Sequence, residues 1–420
     1  MSDTRDTENL LVIVVDQLRA DRIPATHDES DSLSWTTRHM RRLADRGTVY
    51  RNTYTAAPVC NPARQSMLTG YYPDRHKVRT NRDRTADGLS TVAHIAGNAG
   101  IETICVGTNG WRGSYPDGFA RTVQTRRWAK DLREETRAVF EAENTRHIRR
   151  TTGGPSPRGV EEYHGTVVAR STCEELERLS ADRNRFLLWC NIPEPHPPFR
   201  PPADVYRRVL DSMQERSSTE TTDHPAPYMQ KLRRDWEHLS PLEWKQLTAA
   251  YHGMVAVADE WIGRILETLA QTGLETSTTV LLVGDHGEML GEHGLMLKFN
   301  FRQAAVRVPL VLARPDSGPA VSDRLTTTAD VFTSALDILG LQSSATTDSR
   351  SLFDEEGHDT VCSFFDTHSM VTDGRWKLVH YGDGSEELFQ TDDDPGELRN
   401  RIDTSDAAPH RKRLTEHLRT

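Results

Sequence analysis

The run of six apolar residues from Leu10 to Val15 limits the fold of this chain more than any other feature of its sequence. The run does not alternate with polar residues, and four of its six side chains are β-branched. This is typical of a strand that is covered on both faces of a sheet. Open α/β sheets have their active sites at the carboxyl ends of the strands. Asp16 and Gln17, which follow the run directly, are therefore candidate site residues.

Strand-like and helix-like segments alternate over the first 340 residues. Further predicted strands are Glu102 to Val106, Phe186 to Cys190, Thr278 to Val283 and Val306 to Ala313; predicted helices are Thr37 to Gly47, a helix from just after Cys60 to Gly70, Thr91 to Asn98, Leu247 to Thr272 and Ala329 to Leu339. The alternation predicts an α/β fold with a mainly parallel sheet that helices cover on both faces. Residues 203–245 are charged and interrupted by prolines, and we predict a surface excursion there.

The pattern changes after the polar stretch 343–360. Short strand-like segments separated by turns follow over residues 361–389, and a final helix is predicted over residues 408–418. Such a pattern is typical of a small antiparallel sheet with a helix. We therefore predict a large α/β domain over residues 1–345 and a small C-terminal α+β subdomain over residues 346–420 that packs on it.

The composition argues against several kinds of partner. The chain has 420 residues, a formal net charge of −10 and five scattered cysteines with no CxxC pair. Non-specific binding to nucleic acid or to anionic membranes needs basic surface, so neither partner is expected. No apolar run approaches the ~20 residues of a membrane helix, and the first run is too short for a signal peptide. Scattered cysteines fit a reducing compartment, so we expect a cytoplasmic protein.

Four clusters of polar residues can carry chemistry. They are Asp16 with Gln17, Cys60 to Arg64, His196, and Asp285-His286 with Lys298. Taken singly each signal is weak, because a strand-end Asp often caps a helix and a lone Cys is usually a small buried hydrophobe. Taken together, the Asp and Gln oxygens beside an imidazole suit Ca²⁺, Mg²⁺ or Mn²⁺ better than Zn²⁺. Arg64 lies one helical turn after Cys60 and is expected to point back toward it.

The segment Cys60-Asn-Pro-Ala-Arg-Gln-Ser-Met-Leu-Thr-Gly70 resembles the CxPxR…LTG signature of type I sulfatases in the alkaline phosphatase superfamily. The other clusters resemble the remaining motifs of that family, in the same order along the chain. They are Val14 to Asp21, Glu194 to Phe199, Gly284 to His293, Arg307 to Leu310, Gly374 to Tyr381, Glu387 to Phe389 and Asp394 to Glu397. The resemblance spans about residues 9–400 and includes the related phosphonate monoester hydrolases.

The resemblance implies an alkaline-phosphatase-like fold and a nucleophile made by oxidation of Cys60 to Cα-formylglycine. It implies one divalent metal, with Ca²⁺ favoured and Mn²⁺ or Mg²⁺ as alternatives. The metal ligands that it implies are Asp16, Gln17, Cys60, Asp285 and His286; the catalytic residues that it implies are Cys60, Arg64, His196 and Lys298. The expected partners are a formylglycine-generating enzyme during maturation and a small or oligosaccharide sulfate ester, from which inorganic sulfate is released.

One segment departs from the family pattern. Many sulfatases carry a Lys/His pair where this chain has Thr108 and Gly110, within Gly107 to Trp111. Phosphonate monoester hydrolases also lack that pair. Thr108 and Asn109 can donate hydrogen bonds to an anionic oxygen, although they can equally well only shape a turn. Sulfate ester hydrolysis is the leading hypothesis. The alternatives are phosphonate monoester or phosphodiester hydrolysis on the same scaffold, and a degenerate anion-binding member without catalysis.

Overall fold

A computed structural model describes residues 8–23, 31–86, 88–107, 118–123, 125, 128–145, 153–213, 222–223 and 225–418. The strands of the larger sheet are β1 (Asn9–Val15), β2 (Thr48–Tyr54), β3 (Glu102–Val106), β4 (Arg121–Val123), β5 (Phe186–Ile192), β6 (Thr278–Gly284), β7 (Leu310–Ala313) and β8 (Ala320–Thr327). The helices of the same region are α1 (Arg38–Ala44), α2 (Cys60–Thr69), α3 (Pro73–His76), α4 (Val92–Asn98), α5 (Glu134–Glu143), α6 (His164–Asp182), α7 (Ala203–Ser212), α8 (Pro227–Arg234), α9 (Pro241–Gln271), α10 (Gln303–Val306) and α11 (Asp330–Ile338).

The larger sheet has the strand order β4-β3-β5-β1-β6-β7-β2-β8. Strand β1 pairs in parallel with β5 on one side and with β6 on the other. Only β7 runs against its neighbours β6 and β2 among the described strands of this sheet. The prediction of a mainly parallel sheet is therefore confirmed.

Both faces of the central strand are buried, as its sequence predicts. Leu11, Ile13 and Val15 belong to the apolar core on one face of the sheet, and the intervening residues Leu10, Val12 and Val14 belong to the core on the other. All six side chains have no exposed surface. The strand must therefore be apolar throughout, which explains the absence of alternation.

The parallel arrangement brings the candidate residues to one edge of the sheet. The N–H of Asp16 donates to the carbonyl of Ile192 at the end of β5, at 3.0 Å, and the N–H of Asp285 donates to the carbonyl of Val15, at 3.3 Å. Helix α2 follows β2 at the same edge and begins at Cys60. It ends at Gly70, whose left-handed backbone (φ 72°) closes the helix and where a Cβ would meet the ring of Phe332 at 2.6 Å.

The C-terminal segment forms a second, antiparallel sheet. Its strands are β9 (Val361–Phe365), β10 (His368–Thr372), β11 (Trp376–His380) and β12 (Glu386–Gln390), and α12 (Ala408–His417) follows them. Its apolar core includes Phe364, Leu378, Leu388 and Leu414, with Tyr72 from the larger unit. The antiparallel sheet and its helix confirm the predicted kind of structure. The domain boundary at residue 345, which lies between α11 and β9, stays a prediction.

Two sequence predictions need correction. The predicted strand from Val306 begins only at Leu310, because Val306 ends α10 and donates its N–H to the carbonyl of Arg302. The predicted surface excursion contains α7 and α8, and it buries Tyr206, Val209 and Met229 in the core. Apolar side chains on α7 and α8 hold these two helices against the protein although most of their residues are polar. None of the described helices has the length and apolar character to cross a membrane.

Candidate functional site

Cys60 is the first residue of α2, and its thiol lies within a group of polar side chains at the sheet edge. Its Sγ atom is 3.2 Å from Nζ of Lys298, 3.3 Å from Nε2 of His286 and 3.7 Å from Oδ1 of Asp16. Burial, together with the negative charge of Asp16, raises the pKa of the thiol to about 12. The unmodified thiol is therefore a neutral and weak nucleophile.

Arg64 connects the two carboxylates of the site. Its Nη2 donates to Oδ2 of Asp16 at 2.8 Å, and its Nε donates to Oδ2 of Asp285 at 2.9 Å. Burial and the neighbouring charge of Asp16 raise the pKa of Asp285. Burial also acts to raise the pKa of Asp16. The positive charges of Arg64 and Lys298 outweigh that effect, so the pKa of Asp16 is lowered. One planar guanidinium thus holds two carboxyl groups in a fixed relation, and their other oxygens remain directed at the cluster.

Asp16, Cys60, Asp285 and His286 form a group that can hold a metal ion. Each offers one ligand atom, and these four atoms lie within 4.8 Å of one another. Nε2 of His286 is 3.6 Å from Oδ1 of both Asp16 and Asp285. Its Nδ1 is 3.1 Å from the carbonyl of Gly287, to which it can only donate, so that Nε2 presents its lone pair to the group. Burial and the charge of Lys298 lower the pKa of His286, which keeps the imidazole neutral as metal ligation requires.

Gln17 orients its side chain toward the same group through an unusual backbone conformation. Its φ of 67° lies in the left-handed region, and its N–H donates to Oδ1 of Asp285 at 2.9 Å. The amide Nε2 donates to the buried carboxylate of Glu288, so that Oε1 faces Lys298, whose Nζ lies 2.7 Å away. Carboxylate and amide oxygens with one imidazole fit a hard divalent cation such as Ca²⁺ or Mg²⁺. Direct ligation by Gln17 stays a prediction.

Lys298 and His196 supply the basic side of the site. Lys298 is buried, and its ammonium contacts Gln17, Cys60 and His286, the last at 3.1 Å. His196 follows β5 in a loop with cis peptide bonds at Glu194-Pro195 and Pro197-Pro198. Its Nδ1 lies 2.9 Å from the carbonyl of Pro197, and its charge is one of the causes that lower the pKa of His286. The structure therefore places His196 close enough to the cluster for its charge to act on His286.

Sequence reasoning did not single out several residues that hold the site in place. Oδ1 of Asn81 accepts the N–H of Asn61 at the start of α2, at 2.9 Å. The hydroxyl of Tyr251 donates to the carbonyl of Gln17 at 2.9 Å and accepts the N–H of Arg19. Glu288 lies in the Gly284 to His293 motif and was therefore within reach of sequence reasoning, whereas Asn81 and Tyr251 have no local signal. Thr108 and Asn109 lie outside the described residues.

Comparison with known proteins identifies the family to which the chain belongs. The family model described as Sulfatase matches residues 8–341. The chain is 28% identical over 435 residues to the choline-sulfatase of Rhizobium meliloti (strain 1021), covering 94% of this chain and 83% of the relative. It is 27% identical to the multifunctional alkaline phosphatase superfamily protein PehA of Trinickia caryophylli, with 82% and 76% covered.

The fold is also similar to solved structures. The phosphonate monoester hydrolase of Agrobacterium radiobacter superimposes with a TM-score of 0.80 at 22% identity, covering 98% of this chain and 94% of that chain. A 2-O glycosaminoglycan sulfatase, BT1596, gives a TM-score of 0.73 at 19% identity, with 98% and 92% covered. Both likenesses concern the fold. The family match extends over most of the chain and over every residue of the cluster around Cys60. The chain therefore belongs to the sulfatase family of sulfuric ester hydrolases.

Proposed function

We propose that this protein hydrolyses a sulfate ester through a formylglycine made from Cys60, with one bound divalent metal. Of the candidate metals, Ca²⁺ is favoured over Mn²⁺ and Mg²⁺. The observation that carries the proposal is the position of Cys60. Its side chain lies at the start of a buried helix and contacts a lysine, and it belongs to a group of carboxylate and imidazole donors that can hold a metal. Burying so many charged and polar side chains together costs free energy unless their charges compensate each other.

The neutral thiol at position 60 supports conversion of the residue before catalysis. A hydrated aldehyde in its place carries two hydroxyl groups, one of which can attack sulfur. A bound divalent metal would lower the pKa of that hydroxyl. His196 would protonate the leaving alcohol oxygen, and Lys298 would stabilise the negative oxygens of the transferred group. The second hydroxyl then loses its proton, the aldehyde re-forms, and sulfate leaves from the residue.

The family resemblance implies that Arg64 is a catalytic residue, but its contacts suggest that it mainly positions two carboxylates. Its Nε and Nη2 are engaged with Asp285 and Asp16. We infer that Arg64 acts mainly by holding these carboxylates in position for a metal. Lys298 is then the cation that contacts residue 60 among the described side chains of the cluster. The proposal further includes a formylglycine-generating enzyme as maturation partner, a cytoplasmic location, and a small or oligosaccharide sulfate ester as substrate.

A second candidate is hydrolysis of a phosphonate monoester or phosphodiester. The observation that favours it is the sequence Gly107-Thr-Asn-Gly-Trp111, which has Thr108 and Gly110 where many sulfatases have a lysine and a histidine. Sulfate monoesters, phosphonate monoesters and phosphodiesters each carry one negative charge on the reacting group, so Lys298 suits all three. The intact set of Cys60, Arg64, His196, Asp285 and Lys298 argues against a non-catalytic member.

The first test is the mass of the peptide that contains Cys60, after coexpression with a formylglycine-generating enzyme. Conversion of the thiol to the aldehyde lowers the mass by ~18 Da and creates the nucleophile. The converted protein is then assayed with para-nitrophenyl sulfate and with para-nitrophenyl phenylphosphonate, whose relative kcat/KM values separate the two candidate functions.

Cys60→Ala is expected to remove turnover on both substrates, because removal of a covalent nucleophile costs roughly 10⁴-fold or more in kcat. Cys173→Ala is the matched control, since Cys173 is a half-buried thiol on α6 outside the cluster. It should leave turnover unchanged. Wild-type activity in Cys60→Ala, or an unconverted thiol in a protein that turns over sulfate esters, would contradict the mechanism.

A further inference from the structure

The backbone around Lys298 has a conformation that needs external support. Leu297 has a φ of 67° and Phe299 a φ of 76°, so that left-handed residues flank the lysine on both sides. Bulky side chains adopt this region rarely, because the Cβ approaches the backbone carbonyl too closely. Such residues persist only where the surrounding structure over-determines their conformation. The contacts that hold Leu297 and Phe299 therefore decide where the ammonium of Lys298 lies.

Hydrogen bonds from outside the segment hold both flanking residues. The N–H of Leu297 donates to the buried carboxylate of Glu288. The N–H of Phe299 donates to the carbonyl of Pro58, two residues before Cys60, at 3.4 Å. The carbonyl of Phe299 accepts the hydroxyl of Tyr228, at 2.7 Å. Phe299 is thus held at both of its peptide groups, and the bond from Tyr228 is the shorter of the two.

Tyr228 is in turn held by aromatic side chains of the C-terminal sheet. It lies on α8, and its ring centroid is 4.1 Å from that of His368 on β10 and 5.6 Å from that of Tyr381, which follows β11. Phe365 at the end of β9 packs against Phe299 itself, with ring centroids 5.5 Å apart. Burial raises the pKa of the Tyr228 phenol, so the group stays protonated and able to donate. A rigid aromatic cluster therefore carries a hydroxyl to the backbone beside Lys298.

We propose that Tyr228 is a positioning residue, whose hydroxyl bond to the Phe299 carbonyl holds the ammonium of Lys298 against residue 60. The C-terminal sheet contributes to turnover by holding the ring of Tyr228 in place. None of the side chains of that sheet needs to touch the substrate. The inference rests on the proposed function, in which Lys298 stabilises the negative oxygens of the transferred group. A role in packing alone would need only the ring of Tyr228, and this difference makes the two roles separable.

The test compares Tyr228→Phe with Tyr50→Phe in the converted enzyme. Tyr50 is a matched control, since its buried hydroxyl also donates to a backbone carbonyl, that of Leu352 at 2.9 Å. Tyr50 lies on β2 and Leu352 in a turn between α11 and β9, and neither belongs to the cluster around Cys60. Loss of one hydrogen bond of this kind corresponds to about a three- to tenfold change in a rate or equilibrium. We expect Tyr228→Phe to lower kcat on para-nitrophenyl sulfate by about that factor, with KM within about twofold. Tyr50→Phe should leave both constants unchanged.

A double-mutant cycle with Lys298→Ala identifies the route of the effect. If the hydroxyl acts through Lys298, Tyr228→Phe should have little further effect on the residual rate of Lys298→Ala. A second readout does not depend on turnover. An amine-specific acylating reagent should modify Lys298 faster in Tyr228→Phe than in the wild-type protein, as measured by peptide mass spectrometry, while exposed Lys412 reacts at the same rate in both.

Unchanged kcat and unchanged acylation of Lys298 in a folded Tyr228→Phe protein would overturn the inference. An equal loss of kcat in the wild-type and Lys298→Ala backgrounds would overturn it too, since the effect would then not pass through the lysine. Failure of the proposed function gives a different result, because the wild-type protein would then itself fail to turn over para-nitrophenyl sulfate, whereas the acylation of Lys298 could still be compared between the two proteins.

Discussion

Replacing Asp285 by asparagine tests the proposed metal site at one of its fully buried members. The carboxylate has no exposed surface. Its Oδ1 accepts the N–H groups of Gln17 and His286, both at 2.9 Å, and its Oδ2 accepts Nε of Arg64, also at 2.9 Å. Asparagine has a single acceptor oxygen. If that oxygen keeps the two backbone bonds, the amide nitrogen faces Arg64 and two donors oppose each other.

The size of the effect follows from these contacts. The substitution removes one charge-assisted hydrogen bond, which is worth about 1.5–3 kcal/mol, and leaves a buried donor of Arg64 without its acceptor. It also removes one negative charge from the donor group of the cation. If the loss is expressed in binding, each 1.4 kcal/mol weakens affinity tenfold, so the Kd for Ca²⁺ should rise by about 10- to 100-fold. Activity at subsaturating metal should fall with it.

The assay is calorimetric titration of chelator-treated protein with Ca²⁺, accompanied by metal analysis after dialysis. Asp259→Asn is the matched control. Asp259 is also a buried carboxylate that accepts two backbone N–H groups, those of His39 and Met40, but it lies on α9 at the start of α1. Its substitution should leave the Kd for Ca²⁺ unchanged. A folded Asp285→Asn protein that binds Ca²⁺ within twofold of the wild-type affinity would refute the assignment of Asp285 as a ligand.

Two further predictions concern stability. Lys377 is fully buried, pairs with Glu397 and donates to the carbonyl of Phe301 at 2.6 Å, so Lys377→Met should lower the free energy of unfolding by about 3–5 kcal/mol. In urea unfolding, exposed Lys412→Met is the control, and equal midpoints for both variants would contradict the argument. Burial lowers the pKa of His76 to about 3, so its neutral form stabilises the fold fully above the unfolded value of about 6.5 and this contribution is lost as pH falls toward 3. His76→Gln should therefore flatten the decline of Tm below pH 6.5, whereas exposed His417→Gln should not; identical profiles for all three proteins would exclude His76 as the cause.

The sequence predicts those parts of the site that depend on the parallel sheet. An apolar run without alternation indicates a central strand, and the residue after such a strand lies at the edge where active sites form. Asp16 and Asp285 are both predicted to lie at this edge, and the hydrogen bonds that join their segments confirm that position, while their role stays a prediction. Cys60 and Arg64 are predicted to share one face of a helix, and the structure places both side chains at the carboxylates.

Strands near the edge of the sheet are harder to predict from the sequence than strands at its centre. Strand β8 lies at the edge, and residues Ala320 to Arg324 are exposed or half-exposed, so its sequence does not show the continuous apolar run of a buried strand. Strand β2 contains the polar pair Arg51-Asn52 and was also not predicted. In both strands tertiary pairing, rather than a local pattern, determines the conformation.

The residues that orient the site are the least predictable of all. Tyr251 reaches Gln17 across 234 positions of sequence, and Tyr228 reaches Phe299 across 71. Neither has a neighbour in sequence that indicates its role. The left-handed conformations of Gln17, Leu297 and Phe299 are equally hidden, since glycine is the residue that normally signals such a backbone. Long-range hydrogen bonds create these features, so a local pattern cannot report them.

These long-range bonds also join the two sides of the site. Gln17 accepts from Lys298 with its amide oxygen and donates to Glu288 with its amide nitrogen. The same carboxylate of Glu288 accepts the N–H of Leu297, directly before Lys298. The segment of Asp16 and Gln17, which carries proposed metal ligands, and the segment of Lys298 are therefore both held by the buried carboxylate of Glu288. Because residues in one network do not contribute independently, we predict that altering any member of this network changes both the proposed metal affinity and the placement of Lys298.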